Sequence, residues 1–222
     1  FPKMAVHEAS LGDFNGDGIE DIMLLGPENT AVSYQEGKTY IIYGNNFNQA
    51  VDFWGTGGDE NLIGTTSAET FFAGRGNDNI YGMGGADVLQ GGAGDDFFYI
   101  SDYDFKVIKG GPGFDTIRIS GYNLDFSSAA TAKIQSIEAF DLKHSSAGET
   151  LTLSHLAALR LSRKHEIYVQ ANSNDIINLT GPSSTWSLSS STTKDSVTYN
   201  RYIYSKSNAV IYIEQGATGN LP

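Results

Sequence analysis

The chain has 222 residues, 14 Lys and Arg against 26 Asp and Glu, a net charge of -12, and no Cys. That balance excludes nucleic acid and anionic membrane surfaces as partners, and the missing Cys excludes disulfide scaffolds, thiolate metal sites and cysteine catalysis. No apolar run approaches the roughly 20 residues of a membrane span, and no amino-terminal signal pattern opens the chain, so it is either cytosolic or exported by another route.

The charge is unevenly placed. Residues 1–54 carry 2 basic and 8 acidic side chains, residues 55–118 carry 4 and 10, and residues 119–222 carry 8 of each. Glycine numbers 6, 15 and 5 over the same blocks. These shifts divide the chain into three expected domains: 1–54, 55–118 and 119–222.

In the first block, residues 12–21 read Gly-Asp-Phe-Asn-Gly-Asp-Gly-Ile-Glu-Asp. Asp13, Asn15, Asp17 and Asp21 supply side-chain oxygens, Ile19 a backbone carbonyl, and Gly18 the sharp bend, which matches the first nine positions of an EF-hand loop. The twelfth position, Leu24, cannot supply the bidentate carboxylate. The flanks do not read as helices either: residues 22–25 are a short apolar run, and 39–44 reads as a strand. A calcium loop joining two strands over residues 6–45 resembles the FG-GAP repeat of integrin-like β-propellers. One unit is one blade, and a propeller needs several.

The middle block repeats every nine residues: GTGGDENLI, GTTSAETFF, AGRGNDNIY, GMGGADVLQ and GGAGDDFFY from Gly55, then GGPGFDTIR after an interruption. The sixth position is acidic throughout (Glu60, Glu69, Asp78, Asp87, Asp96, Asp115). The eighth is a large apolar residue (Leu62, Phe71, Ile80, Leu89, Phe98, Ile117). Six apolar residues in register argue against a flexible Gly/Asp-rich linker. Glycines permit a tight six-residue turn with exposed carbonyls, and the next three residues make a strand with one inward apolar side chain. The turns at 73–78, 82–87 and 91–96 fit this scheme most closely; in GTTSAE, Thr66 and Ser67 occupy glycine or flexible positions, and Glu60 and Glu69 replace Asp.

This pattern resembles the RTX (repeats-in-toxin, haemolysin-type) nonapeptide, which implies a calcium-filled parallel β-roll with two nonads per coil. The resemblance puts Asp78 opposite Asp96 on one edge and Glu69 opposite Asp87 on the other. Hard Ca²⁺ ions there would bridge carboxylates and carbonyls. The implied ligands are Gly74, Gly76 and Asp78; Gly85 and Asp87; Gly92, Gly94 and Asp96; Gly111, Gly113 and Asp115; and Glu60 and Glu69.

The last block is Ser/Thr-rich, with short apolar segments that read as strands at 117–119, 134–140, 151–153, 167–169, 176–179, 197–199, 202–204 and 210–213. Ser154–Leu161 reads as one short helix capped by Ser154. The expected class is therefore all-β: a calcium β-roll between an FG-GAP-like unit and a β-rich cap that closes its open end. The four histidines form no H-E-x-x-H, and neither a G-x-S-x-G elbow nor a P-loop occurs, so no enzymatic activity is expected. Trp186, Tyr199, Tyr202, Tyr204 and Tyr212 would either line a ligand face or pack.

The order of these parts resembles the carboxy-terminal region of large RTX adhesins and secreted proteins of Gram-negative bacteria. That resemblance implies export by type I secretion with an uncleaved carboxy-terminal signal, to which residues 212–222 would contribute, and folding on calcium outside the cell. Expected partners are calcium, neighbouring domains of the same large protein, and a cell-surface glycan or protein. Two alternatives stand beside a structural adhesin or surface-layer module: the non-catalytic tail of a secreted hydrolase, and a calcium-dependent glycan- or peptide-binding module.

Overall fold

A computed structural model describes residues 51–127, 133–144, 148–181 and 185–221, together with the backbone of 8–12, 21–27 and 37–42. Among these residues there are twenty strands and one short helix, an all-β fold. The chain divides into two compact units, 1–50 and 51–222.

In the first unit, β1 (Glu8–Gly12), β2 (Asp21–Pro27) and β3 (Gly37–Ile42) form an antiparallel sheet in chain order. Leu11 lies opposite Ile22, and Leu24 opposite Tyr40. The apolar run 22–25 thus lies in β2, and the β-branched and aromatic residues 39–42 lie in β3. Residues 13–20, with Asp13, Asn15, Asp17 and Ile19, lie outside the described residues; Asp21 opens β2.

The second unit is a parallel ladder wound from the nonads. One face carries β4 (Phe53–Trp54), β6 (Thr70–Arg75), β8 (Val88–Ala93), β10 (Val107–Lys109) and β13 (Ile134–Gln135). The other begins with β5 (Asn61–Ile63), β7 (Asn79–Tyr81), β9 (Phe97–Ile100) and β11 (Thr116–Ile119). Each strand pairs with the strand two ahead, because successive nonads alternate between the faces. Phe71 meets Leu89 and Leu89 meets Ile108 on the first face, while Ile80 meets Phe98 and Phe98 meets Ile117 on the second. These side chains have no solvent exposure. Burying each contributes about 1.5–3 kcal/mol, so one residue per strand suffices because the coils stack it.

The ladder does not stop at 118, where composition changes. β11 continues to β14 (Ala139–Asp141), β14 to β16 (Glu166–Gln170), and β16 to β20 (Val210–Glu214), all parallel. Longer coils leave room for a third parallel face: β12 (Leu124–Phe126), β15 (Thr150–Ser154) and β17 (Ile176–Thr180). The polar block therefore continues the roll's core.

Helix α1 (His155–Leu161) leaves β15 directly. Ser154 accepts the Ala157 N–H at 3.2 Å as its N-cap and donates to the Phe126 carbonyl at 3.0 Å. Ala157, Ala158 and Leu161 bury the helix against the core. Last, β18 (Trp186–Lys194) and β19 (Val197–Tyr204) add antiparallel to β20, with β18 at the sheet edge. Trp186, Tyr199, Tyr202, Tyr204 and Tyr212 are all buried, so these aromatics pack and do not form an open face.

Candidate calcium site

The turns between strands gather along two edges. Along the first, the Glu60 N–H donates to Asp78 Oδ1 (2.8 Å), Asp78 to Asp96 (2.9 Å) and Asp96 to Asp115 (3.0 Å). Along the second, the Glu69 N–H donates to Asp87 Oδ1 at 2.9 Å. Each carboxylate thus ties its own turn to the one before. The sixth-position acids stand in two columns at the coil repeat of 18 residues, or 19 at Asp115.

Only one oxygen of each aspartate is used in this way. Asp78, Asp96 and Asp115 have no exposure, and their Oδ2 atoms have no hydrogen-bond partner. A buried carboxylate oxygen without a partner is costly. Accordingly, burial pushes the Asp96 carboxyl up to about 6, helped by the Asp78 charge, and Asp115 to about 8, helped by Asp96 and Glu138. Asp87 is raised to about 6 by burial and then by Glu69; Asp78 is also raised by burial. All four shifts share one cause, burial, reinforced by neighbouring carboxylates of like charge.

The glycines explain why oxygens crowd these edges. Gly74, Gly76, Gly85, Gly92, Gly94, Gly111 and Gly113 all have positive φ. At Gly94 (φ 135) a Cβ would collide with the Gly76 carbonyl, and at Gly92 (φ 116) with the Gly74 carbonyl. Carbonyls of one turn therefore point at the bare Cα of the next, in a cradle that any side chain would fill. Among the described residues no three His, Asp or Glu side chains converge. Oxygen ligands here would come mostly from carbonyls, with one or two carboxylates, a donor set suited to Ca²⁺ and unsuited to softer metals.

The two glutamates behave differently. Glu60 accepts hydrogen bonds from the N–H of Thr56 (3.0 Å) and its hydroxyl, and Glu69 from the N–H (2.7 Å) and hydroxyl (2.6 Å) of Thr65. The longer side chain reaches back to its own turn, and the Thr56 hydroxyl and N–H hold Glu60 below the usual carboxylate range.

Two further sets of acidic and amide residues line the roll outside the nonad's sixth position. Asp59, Asn77 and Asp95, at the fifth position, accept the N–H of Asn77, Asp95 and Phe114 respectively, each at 2.7 Å. They form an outer row parallel to the first column. On the third face, Glu149 and Asp175 are buried, and the Glu149 N–H donates to Asp175 Oδ1 at 3.1 Å. Their signal was present: Asp115/Ile117, Glu138/Phe140, Glu149/Leu151 and Asp175/Ile177 keep the nonad's acid-x-apolar spacing.

Among the histidines, His144 Nε2 lies 3.2 Å from Asp141, and His155 stacks on Tyr204 at 4.0 Å. His165 sits in a positive-φ turn, and His7 lies outside the described residues. A profile of the RTX calcium-binding nonapeptide repeat, in four copies, matches residues 63–98. No curated protein matches the chain. Residues 63–98, with their carbonyl cradles and half-paired buried aspartates, are RTX calcium-binding repeats wound into a parallel β-roll that holds several Ca²⁺ ions.

Proposed function

We propose that the chain is a calcium-dependent structural module of a secreted RTX adhesin or surface-layer-type protein, folding when it meets calcium outside the cell. The observation that supports this most is the column Asp78–Asp96–Asp115, three buried carboxylates each with one oxygen unpaired. Without cations, these charges and the raised carboxyls around them oppose folding. Sites of extracellular type have Kd near ~10⁻⁴ to 10⁻³ M, so they stay empty in the cytosol and fill outside. An unfolded acidic chain suits passage through a type I secretion channel. On this reading the loop 13–21 is a separate FG-GAP-like calcium site, and neighbouring domains of the same protein are the main partners.

Circular dichroism during a calcium titration tests the proposal. The β signal should be much weaker in excess chelator than at near-millimolar calcium, and calcium should restore it. A chain already fully β-rich in chelator contradicts folding on export.

Ligand binding is the second reading, favoured by a cleft of about 460 Å³ on the outer sheet face. Arg118 lies 4.3 Å over the Phe97 ring and pairs with Asp141 there, while Lys194 lies 3.1 Å over Phe114. Aromatic faces beside charged groups suit a glycan. A glycan array read with calcium and with chelator tests this reading, and a blank array removes it.

A further inference from the structure

The carboxylate column outlasts the glycine repeats. The Asp115 N–H donates to Glu138 Oε2 at 3.1 Å, 23 residues on, where the preceding step was 19. Glu138 is only 8% exposed and ends the stretch Gln135-Ser136-Ile137-Glu138, which contains no glycine. The Ser162 side chain also hydrogen-bonds the Glu138 carboxylate, and Lys164 and Arg163 act on it through their charge, yet neither forms an ion pair with it among the described residues.

The first residue of a nonad turn has a recognisable environment. A Cβ on Gly55 would meet Glu60 Oε2, from its own turn, and the Ala73 carbonyl, from the first residue of the next turn on that edge. Gly64 repeats this with Glu69 Oε2 and the Gly82 carbonyl. Gly110 does so again, with Asp115 Oδ2 and the Ser136 carbonyl. Ser136 therefore stands where the first residue of a seventh nonad would stand. It adopts a left-handed φ of 52°, which an L-residue holds only at a cost, and its carbonyl shares the Gly110 cradle with Asp115 Oδ2. That Oδ2 atom is buried and has no partner.

We propose that Asp115 Oδ2, the Ser136 carbonyl and Glu138 form a further divalent-cation site, of the all-oxygen kind calcium takes, closing the first-edge column beyond the glycine repeats. This rests on the calcium reading of the nonads. Its consequence is a link between calcium and the polar block. Ile137, beside Glu138, donates its N–H to the Leu161 carbonyl at 2.8 Å, so an ion at this site would fix the end of α1 as well as the last turn of the roll.

Native mass spectrometry at saturating calcium, on the full chain and on Glu138→Gln, tests the proposal. Glu138→Gln preserves shape and should carry one ion fewer than the parent, with the remaining ions retained. An unchanged count overturns the site. Should the variant not fold, crystals of the parent grown with calcium decide: an anomalous peak between Asp115 Oδ2 and the Ser136 carbonyl supports the site, and peaks confined to the nonad turns overturn it. A parent chain that binds no calcium at all refutes the reading of the nonads themselves, an outcome distinct from losing this site alone.

Discussion

Asp96 accepts the backbone N–H of Asp78 on one carboxylate oxygen at 2.9 Å, and leaves the other buried without a partner. One oxygen holds the coils in register, and on the calcium reading the other is a cation ligand, so a single side chain would carry both roles. The separation of these roles gives the first prediction.

Asp96→Asn keeps an acceptor for the Asp78 N–H but removes the charge. In chelator the variant should be more stable than the parent, because an unpaired buried charge is gone. In calcium the order should reverse, with a loss of about 1.4 kcal/mol for each site emptied when calcium stands tenfold above Kd. Chemical denaturation under both conditions reads the crossover; equal shifts of one sign would show that Asp96 has no ligand role.

Glycines in the second unit should not be equivalent. At Gly94 φ is 135° and a Cβ meets the Gly76 carbonyl, whereas nothing lies within 4 Å of a Cβ at Gly57. Gly94→Ala should cost at least about 1–3 kcal/mol from backbone strain, plus the lost cradle, and Gly57→Ala well under 1 kcal/mol. Thermal melts in calcium measure both.

The raised carboxyls fix a pH dependence. Asp87 and Asp96 are pushed up to about 6 and Asp115 to about 8, against an ordinary 3.8. A carboxyl raised by folding favours the fold while protonated, so its contribution is complete below about 3.8. It is lost as pH rises through about 6 and then about 8. In chelator the melting temperature should therefore fall between pH 4 and pH 8. Calcium should abolish that fall at the upper end, where the carboxylates are free to bind it.

Ser154 joins two elements, capping α1 through Ala157 and bonding the Phe126 carbonyl of the third face. Ser154→Ala should cost about 1–2 kcal/mol, the upper part of the range for a lost cap, because the carbonyl bond is lost too. Because Ser154 lies away from the nonad turns, the calcium count should stay constant, which native mass spectrometry checks.

What was legible in the sequence follows from how local each signal is. The nonad strands and the capped helix at Ser154 are encoded within nine or so residues, and both appear where the residues put them. Strand β18 was not legible: seven of its nine residues are exposed, it is mostly Ser and Thr, and it exists because β19 offers it a ladder. The two segments 197–199 and 202–204 are one strand, since Asn200 and Arg201 pair through their backbones whatever their side chains. The columns beyond Asp115 were hidden because the coil lengthens, from 18 and 19 residues to 23 between Asp115 and Glu138. A fixed period cannot find acids whose spacing grows with each intervening loop. The row Asp59–Asn77–Asp95 escaped for another reason. Its side chains bond across coils, and nothing in one nonad marks the fifth position as facing the next turn.

At the heart of the proposed function is a calcium requirement of the buried aspartate columns. Its most direct test is the number of calcium ions bound by the full chain at pH 7.5, measured by equilibrium dialysis alongside thermal melts with calcium and with chelator. Several ions per chain should bind together, and the melting temperature should drop sharply when they are removed. No bound calcium, with identical melts under both conditions, would contradict the claim.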